Sequence, residues 1–161
     1  MDTSLESRVG AALRRRGLRL AAAESCTGGL VGHRITNIPG SSTYYMGSIT
    51  AYAYEAKVRL LGVKWETLET YGAVSSQVVS EMARGVRQAM AADIGISISG
   101  IAGPGGGTPE KPVGLVCFGL STNTGTWTSR QQFLGHRVAV KEQAADFILR
   151  YLLRYLDGEL L

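Results

Sequence analysis

The sequence predicts an α/β fold, a three-layer α/β/α sandwich whose mixed sheet is mostly parallel and ends in a late antiparallel hairpin. Short β-forming segments alternate with segments of helical periodicity along most of the chain, which is typical of a parallel sheet covered by helices. Two strand-like segments then follow one another across Asn123-Thr124-Gly125, a hairpin signal. Glycines also cluster at 28–29, 100–107 and 114–125, and the first two clusters follow predicted strands. This placement indicates loops that face a ligand.

The helices are predicted from apolar positions at three- and four-residue spacing and from their capping residues. They cover residues 3–16, 30–36, 54–61, 65–70, 76–90 and 138–156. Gly17 ends the first helix, Gly62 ends the third, and Ser75 or Ser76 caps the fifth. The strands are predicted from runs of β-branched, aromatic and small apolar residues between turn signals. They cover residues 18–23, 45–52, 94–99, 113–122 and 126–134.

Length and composition favour one domain over residues 1–161 of an ordinary globular class, with 45% hydrophobic and 19% charged residues. The net charge of +4 is partly local, because Arg14, Arg15 and Arg16 end the first helix and complement its dipole. Basic residues are not interleaved with aromatic ones, so no nucleic-acid partner is expected. Without a leader pattern or an 18-residue apolar run, we expect a cytoplasmic protein with no membrane contact. His33 and His136 are too isolated for a metal site, and no cofactor is expected.

The most informative segment is Ala23-Glu-Ser-Cys-Thr-Gly-Gly29, where a predicted strand becomes a helix. Ser25 and Thr27 are good N-caps there, and Gly28 and Gly29 allow a ligand to approach the backbone. A helix start offers free N–H groups to an anion, so we expect an oxyanion to be stabilised near Thr27 and Gly28. A plain capped helix is the alternative interpretation.

A serine nucleophile needs a base, and neither histidine suits that role: His33 lies two helical turns from Ser25, and His136 comes late in the chain. Lys57 is the candidate base, because its tyrosine- and alanine-rich surroundings can desolvate the amine and lower its pKa. A solvated surface lysine is the other interpretation. Cys26 is a second candidate nucleophile, since a helix start lowers the pKa of a thiol. Cys117 is expected in the core, and two cysteines make no disulfide framework.

The loop at 100–112 is rich in glycine and follows a predicted strand, so it is expected at the same sheet edge as Ser25 and Lys57. Its backbone N–H groups are expected to bind an anion, although it matches neither the dinucleotide nor the P-loop pattern. A flexible connection is the alternative. The residues assigned to substrate binding in it are Gly103, Gly105, Gly106 and Lys111, with Thr108 as a candidate catalytic residue.

Five segments together resemble the CinA C-terminal domain family, in the same order along nearly the whole chain. They are Glu24-Ser-Cys-Thr-Gly-Gly29, Pro39-Gly-Ser-Ser42, Gly72-Ala-Val-Ser75, Ser97-Ile-Ser-Gly-Ile-Ala-Gly-Pro104 and Lys111-Pro-Val-Gly114. Some members of this family are nicotinamide-nucleotide amidohydrolases. The resemblance implies deamidation of nicotinamide mononucleotide to nicotinate mononucleotide and ammonia, with the nucleotide as a small-molecule partner.

By the same resemblance, the catalytic serine of the family falls on Ser25, its lysine base on Lys57, and its tyrosine and arginine on Tyr52 and Arg137. The assisting threonine is assigned to Thr108, with Thr27 as the second choice. The family pattern Thr-Tyr-Ser-Asn-x-Ala-Lys reads Ala-Tyr-Ala-Tyr-Glu-Ala-Lys over residues 51–57, so the asparagine is missing. The late Gly-Asp-Arg of the family is Gly-His-Arg at 135–137, which adds positive charge near the expected phosphate.

The resemblance leaves one alternative open from a different functional class. Family members often carry this unit behind another domain, whose pyrophosphatase activity is not assigned to this chain. A non-catalytic nucleotide-binding or regulatory domain is therefore the rival of the Ser–Lys amidase, and the altered segment before Lys57 supports it. A homo-oligomer is expected, as is common for compact enzymes of this size.

Overall fold

The computed structural model describes residues 1–160 and contains a mixed sheet of five strands in the order β2-β1-β3-β4-β5. The strands are β1 (Leu20–Glu24), β2 (Tyr45–Thr50), β3 (Ile94–Gly100), β4 (Leu115–Ser121) and β5 (Thr126–Gln132). Strands β2, β1 and β3 are parallel to one another, and β3, β4 and β5 pair antiparallel. The predicted fold class, with its late hairpin between β4 and β5, is confirmed.

Helices cover both faces of the sheet. They are α1 (Leu5–Arg16), α2 (Leu30–Thr36), α3 (Tyr54–Leu61), α4 (Trp65–Tyr71), α5 (Ser76–Ala89) and α6 (Arg137–Leu156), with a 3-10 turn at Ser41–Thr43. Helices α1, α2 and α6 share one apolar core with the sheet, and α3, α4 and α5 share the other. Successive side chains of a strand point to opposite faces of the sheet, and so contribute to the two cores in turn. In β1, Ala22 lies in the first core, and its neighbours Ala21 and Ala23 lie in the second.

The element boundaries agree with the predictions to within a few residues. The largest differences are two residues. Strands β2 and β5 end two residues early, at Thr50 and Gln132, and β1, β4 and α1 begin two residues late. Strand limits are fixed by the hydrogen-bond ladder, which local composition does not encode. Helix α6 begins one residue early, at Arg137, because the His136 side chain caps it by accepting from the Ala139 N–H. Gly17 caps α1 in the left-handed conformation, as predicted, with φ of 64°.

The carboxyl ends of the three parallel strands meet at one edge of the sheet. Glu24, the last residue of β1, lies opposite Thr50 of β2 and Ile98 of β3. The Ser25 N–H continues the ladder by donating to the Ile98 carbonyl at 3.0 Å. In α/β sheets, ligands bind outside this edge. The segments that follow Glu24, Thr50 and Gly100 are therefore the ones from which a site is built.

Two local features hold the layers around this edge. Arg34 of α2 pairs with Glu6 of α1 at 2.7 Å and with Asp146 of α6 at 2.6 Å, which joins the three helices of one layer. On the other face, Gly85 lets α5 pass directly against α3: a Cβ at this position would lie 1.8 Å from the Leu61 carbonyl oxygen. Among the helices of residues 1–160, none combines the length and apolarity that a bilayer crossing requires.

Candidate active site

Ser25 and Lys57 are in direct contact at the carboxyl edge of the sheet. The Lys57 Nζ donates to Ser25 Oγ at 3.0 Å, although 32 residues separate the two in the sequence. Two further acceptors, the backbone carbonyls of Ala51 and Tyr52, also lie 3.0 Å from Nζ. An ammonium group has three donors, and here each has an acceptor. In the neutral amine, two N–H groups can keep the carbonyls while the lone pair faces the serine hydroxyl.

Burial changes the acidity of this lysine. The Lys57 side chain is 1% exposed, and the loss of hydration lowers its pKa from 10.5 to about 8. No carboxylate contacts the amine to oppose the effect, because its three neighbours are a hydroxyl and two carbonyls. A solvated surface lysine, the alternative interpretation, is excluded. A useful fraction of this side chain is neutral near physiological pH, which is what a general base requires.

The altered segment before Lys57 leaves these contacts intact. Tyr54 stands where the family pattern has asparagine, and its ring lies 6.4 Å from that of Trp65, on the outside of α3. The three acceptors of Lys57 are Ser25 Oγ and two main-chain oxygens, none of which depends on the side chain at position 54. The missing asparagine therefore removes no contact that holds the lysine here.

The carboxylate of Glu24 occupies the N-terminus of α2, which corrects the predicted capping. Gly29 is the N-cap and provides no side chain, so neither Ser25 nor Thr27 caps the helix. The fully buried Glu24 accepts from the N–H groups of Gly29, Val31 and Gly32 at 3.0–3.2 Å and from the Thr27 hydroxyl at 2.7 Å. The N–H groups at this helix start, which the sequence suggested for a bound anion, are therefore taken by a side chain of the protein itself. Sequence reasoning missed Glu24.

The same arrangement changes the expected oxyanion donors. The Gly28 N–H donates to the Ser25 carbonyl at 3.1 Å, within the turn itself. Within residues 1–160, the backbone N–H groups of Cys26 and Thr27 donate to no other residue. The Thr27 N–H therefore stays a candidate donor to an oxyanion, and the Gly28 N–H does not. The Cys26 N–H is a second candidate, because it directly follows the serine.

The alternative thiol nucleophile is inconsistent with the structure. Cys26 packs into the core between the sheet and helices α1, α2 and α6. Burial raises the pKa of its thiol to about 11, where the helix start was expected to lower it. A thiol with a raised pKa is mostly neutral at physiological pH and is a poor nucleophile. Cys117 is buried as well, as expected.

Tyr52 and Arg137 lie together beside this pair. Arg137 donates to the Tyr52 hydroxyl at 3.0 Å and to the Gly103 carbonyl at 2.8 Å, so it joins the start of α6 to both loops of the edge. Tyr52 in turn gives its own carbonyl to Lys57. Lys141, one turn along α6, adds a charge near Gly28: its ammonium lies 3.6 Å from where a Cβ of Gly28 would stand. These residues form one connected border of the site.

Thr108 and Lys111 lie away from this border. Thr108 closes a small turn with Lys111 through its N–H and hydroxyl, at 2.8 and 3.0 Å. The Lys111 ammonium is hydrogen-bonded to the carbonyl of Tyr71, the last residue of α4. No described contact links either residue to Ser25 or Lys57. Gly105 and Gly106 are exposed in the same loop, and Gly103 meets the site through Arg137.

Ser99 is a second residue that sequence reasoning missed. It is buried near the end of β3, one register position beyond the pair Glu24–Ile98, and so stands beside Ser25. Ser97, two residues earlier, bonds Val79 of α5, so both serines face the layer that contains Lys57. The alternation of serine with isoleucine over 96–99 was the available signal, since it places hydroxyls on one face of a buried strand. Ser99 is therefore a candidate to assist Ser25.

The fold and this edge define a class: an α/β protein with a serine–lysine pair at the carboxyl end of its parallel strands. Residues 2–156 match the CinA C-terminal domain. The chain belongs to the CinA C-terminal domain family.

Individual relatives and a solved structure are similar to this chain over most of its length. The chain is 52% identical over 151 residues to a protein of Enterobacter agglomerans named nicotinamide-nucleotide amidohydrolase PncC, covering 93% of this chain and 92% of that protein. It is 54% identical to a putative competence-damage inducible protein of Moorella thermoacetica, but spans only 38% of its length. A crystal structure of a CinA superfamily protein from Klebsiella pneumoniae superposes with a TM-score of 0.92 at 38% identity, covering 96% of both chains.

Proposed function

We propose that this protein is an amidohydrolase that converts nicotinamide mononucleotide to nicotinate mononucleotide and ammonia through a Ser25–Lys57 dyad. The observation that carries the proposal is the 3.0 Å contact between a buried lysine of lowered pKa and a serine hydroxyl at the ligand-binding edge of the sheet. The substrate is taken from the name of the Enterobacter agglomerans relative.

In the acylation step, neutral Lys57 takes the proton of Ser25, and Ser25 Oγ attacks the carboxamide carbon. The tetrahedral intermediate places negative charge on the carboxamide oxygen, next to the N–H groups of Cys26 and Thr27, and backbone donors directly after a nucleophile stabilise such charge in other hydrolases. Protonated Lys57 then transfers its proton to the leaving nitrogen, and ammonia departs. An ester between Ser25 and the carboxyl group of nicotinate mononucleotide is left, with the ribose phosphate still attached.

In the second step, Lys57 is neutral again and takes a proton from water, whose oxygen attacks the ester. Collapse of the second intermediate returns the proton to Ser25 Oγ and releases the nicotinate nucleotide. Tyr52 and Arg137 border the site and would orient the substrate. The phosphate requires positive charge, and sequence reasoning offered Arg137 and Lys111, with backbone N–H groups at Gly105 and Gly106, for that role.

The experiment is ammonia release from nicotinamide mononucleotide by the purified protein, with Ser25→Ala and Lys57→Met as the dyad variants. Lys64→Met, which removes an exposed lysine, is the matched control. Turnover that both dyad variants abolish and the control retains would support the amidase. Denaturing mass analysis during turnover tests the acyl-enzyme, because wild type should gain the mass of the acyl group of nicotinate mononucleotide, ribose phosphate included, and Ser25→Ala should not.

The same experiment distinguishes the amidase from the non-catalytic alternative. Binding of the nucleotide without any ammonia release would refute the amidase and leave a nucleotide-binding domain. The expected homo-oligomer and cytoplasmic location stay predictions, which light scattering on the purified protein and cell fractionation test directly.

A further inference from the structure

A cavity of about 250 Å³ lies at the end of the sheet opposite to the dyad. It is bounded by Ile94 at the start of β3, by Thr122 directly after β4, and by Tyr155 near the end of α6. Ser99, which stands beside Ser25, is five residues further along β3 than Ile94, so about 17 Å of sheet separates the cavity from the dyad. The proposed amidase uses none of the residues that line this cavity.

Arg87 of α5 brings a cation to the cavity. Its Nε donates to the hydroxyl of Ser121 at 3.1 Å, and Ser121 is fully buried, so this bond fixes the arginine against the end of β4. Gly95 leaves room for the arrangement, because a Cβ there would lie 2.8 Å from the Arg87 Cβ. Within residues 1–160, the two terminal nitrogens of Arg87 have no acceptor. They keep the paired N–H groups with which a guanidinium binds a carboxylate.

Asp93 brings a carboxylate to the same cavity. Its Oδ2 accepts from the Arg19 N–H at 2.8 Å, and its own N–H donates to the Arg19 carbonyl at 3.0 Å, so the residue is held on both sides by the chain before β1. In the described part of the chain, Oδ1 accepts from no donor, and Asp93 and Arg87 form no ion pair with each other. The cavity is therefore lined by a cation and an anion that are held apart, each with unused hydrogen-bonding capacity.

A second cavity, of about 430 Å³, adjoins the first at Tyr155, which lines both. Its aromatic and aliphatic lining consists of Trp127, Tyr155, Leu156 and Leu160. Arg16 and Asp157 line it as well, and the Arg16 guanidinium is already bonded to the Leu156 carbonyl at 2.8 Å. Small-molecule sites in proteins are usually about 300–1,000 Å³, so the two cavities together have the size of such a site.

We propose that the two cavities bind a free α-amino acid with an apolar side chain. The carboxylate of the amino acid pairs with the terminal nitrogens of Arg87, and its ammonium group donates to Oδ1 of Asp93. The side chain passes Tyr155 and packs in the second cavity. A zwitterion pairs both fixed charges at once, whereas a simple anion would meet Asp93 and a simple cation would meet Arg87 with charge of the same sign. This inference is independent of the proposed amidase, whose residues lie at the other end of the sheet.

The first test is calorimetric titration of the wild-type protein with leucine, N-acetylleucine, leucinamide and glycine. Leucine should bind about tenfold more tightly than N-acetylleucine, which lacks the ammonium group, and than leucinamide, which lacks the carboxylate, because each analogue loses one charge-assisted contact. Glycine should bind more weakly than leucine, because it has no side chain to bury in the second cavity. This series uses wild type alone, so it decides the proposal even if a substitution destabilises the protein.

The second test assigns each contact to its residue. Arg87→Gln should weaken leucine binding about tenfold and leave leucinamide binding no weaker, since that analogue has no carboxylate to lose. Asp93→Asn, which keeps an acceptor for the Arg19 N–H, should weaken leucine binding and leave N-acetylleucine binding no weaker. Arg84→Gln on α5 and Glu66→Gln on α4 are the matched controls, because both residues are exposed and lie outside the two cavities.

Three results would overturn the proposal. The first is the absence of leucine binding by wild type at millimolar concentration. The second is equal affinity for leucine and both of its charge-blocked analogues. The third is leucine binding that neither Arg87→Gln nor Asp93→Asn weakens, since the amino acid would then bind elsewhere. Glycine that binds as tightly as leucine would refute the second cavity as the place of the side chain.

Discussion

The pH dependence of turnover is the most direct test of the lysine base. Because burial lowers the pKa of Lys57 to about 8, about one molecule in ten has the neutral amine at pH 7 and about one in a hundred at pH 6. Since only the neutral amine accepts the Ser25 proton, kcat/KM should rise about tenfold per pH unit up to about pH 8 and then level off. Ammonia release measured from pH 6 to pH 10 gives the profile.

Substitution of the lysine supplies the second half of this test. Lys57→Met should lower kcat by about 10² to 10⁴, the usual contribution of a general base, and its residual activity should lose the step near pH 8. Lys64→Met should keep both the rate and the step. A wild-type profile that is flat from pH 6 to pH 9, or a Lys57→Met profile that retains the step, would refute the assignment of Lys57 as the base.

The same pKa shift predicts a change in stability with pH. The folded state loses the Lys57 proton near pH 8 and the unfolded chain near 10.5, so between these values the unfolded state binds more protons. The free energy of unfolding attributable to this group therefore rises with pH across that window, by about 3 kcal/mol, and the destabilisation is fully present below pH 8. Urea unfolding of wild type and Lys57→Met at pH 7.5 and pH 10 measures this contribution. The free energy of unfolding of wild type should rise relative to that of Lys57→Met as the pH rises.

Three further substitutions test the frame of the site. Glu24→Gln should lower the free energy of unfolding by about 1–3 kcal/mol in urea and reduce turnover, because an amide NH₂ would face the backbone donors at the start of α2, the helix that follows the Ser25 turn. Gly85→Ala should destabilise the protein by several kcal/mol by driving a methyl group into the Leu61 carbonyl, whereas Gly105→Ala, which meets open space, should leave its thermal midpoint unchanged. Cys26→Ala should retain the serine-dependent ammonia release, and its loss without unfolding would revive the thiol mechanism.

The sequence predicted most of the fold because its signals are local. The α3 boundaries, 54–61, agree with the structure, since Gly62 stops the helix in the left-handed conformation. The Ser25–Lys57 contact could not follow from such signals, because it joins two segments through the pairing of β1 with β2. Both residues were nevertheless named, Ser25 for its turn and Lys57 for its apolar surroundings.

The misses have a physical cause as well. From the sequence alone, a glutamate such as Glu24 is expected to be exposed to solvent, because burying a charge is costly. Only the folded structure shows that backbone N–H groups surround its carboxylate. Lys111 was placed with the dyad because its loop follows β3. In the structure, the loop that contains Lys111 is closed by the Gly114 N–H, which donates to the Ile101 carbonyl at 2.8 Å, and the lysine bonds the Tyr71 carbonyl at the end of α4. Distances across a long loop are not encoded in its composition.

The dyad is held mainly by the backbone, which explains how it tolerates an altered neighbourhood. The Ala51 N–H donates to the Glu24 carbonyl at 2.9 Å, which extends the pairing of β1 with β2. This bond fixes the position of Ser25, which follows Glu24, and of the Ala51 carbonyl, which accepts from Lys57. A side chain at position 54 is not needed for that geometry. The lysine depends on the surrounding apolar layer for its low pKa and on the sheet for its position. We therefore expect the proton-transfer geometry to survive changes on the outside of α3 and to fail with changes to the sheet edge.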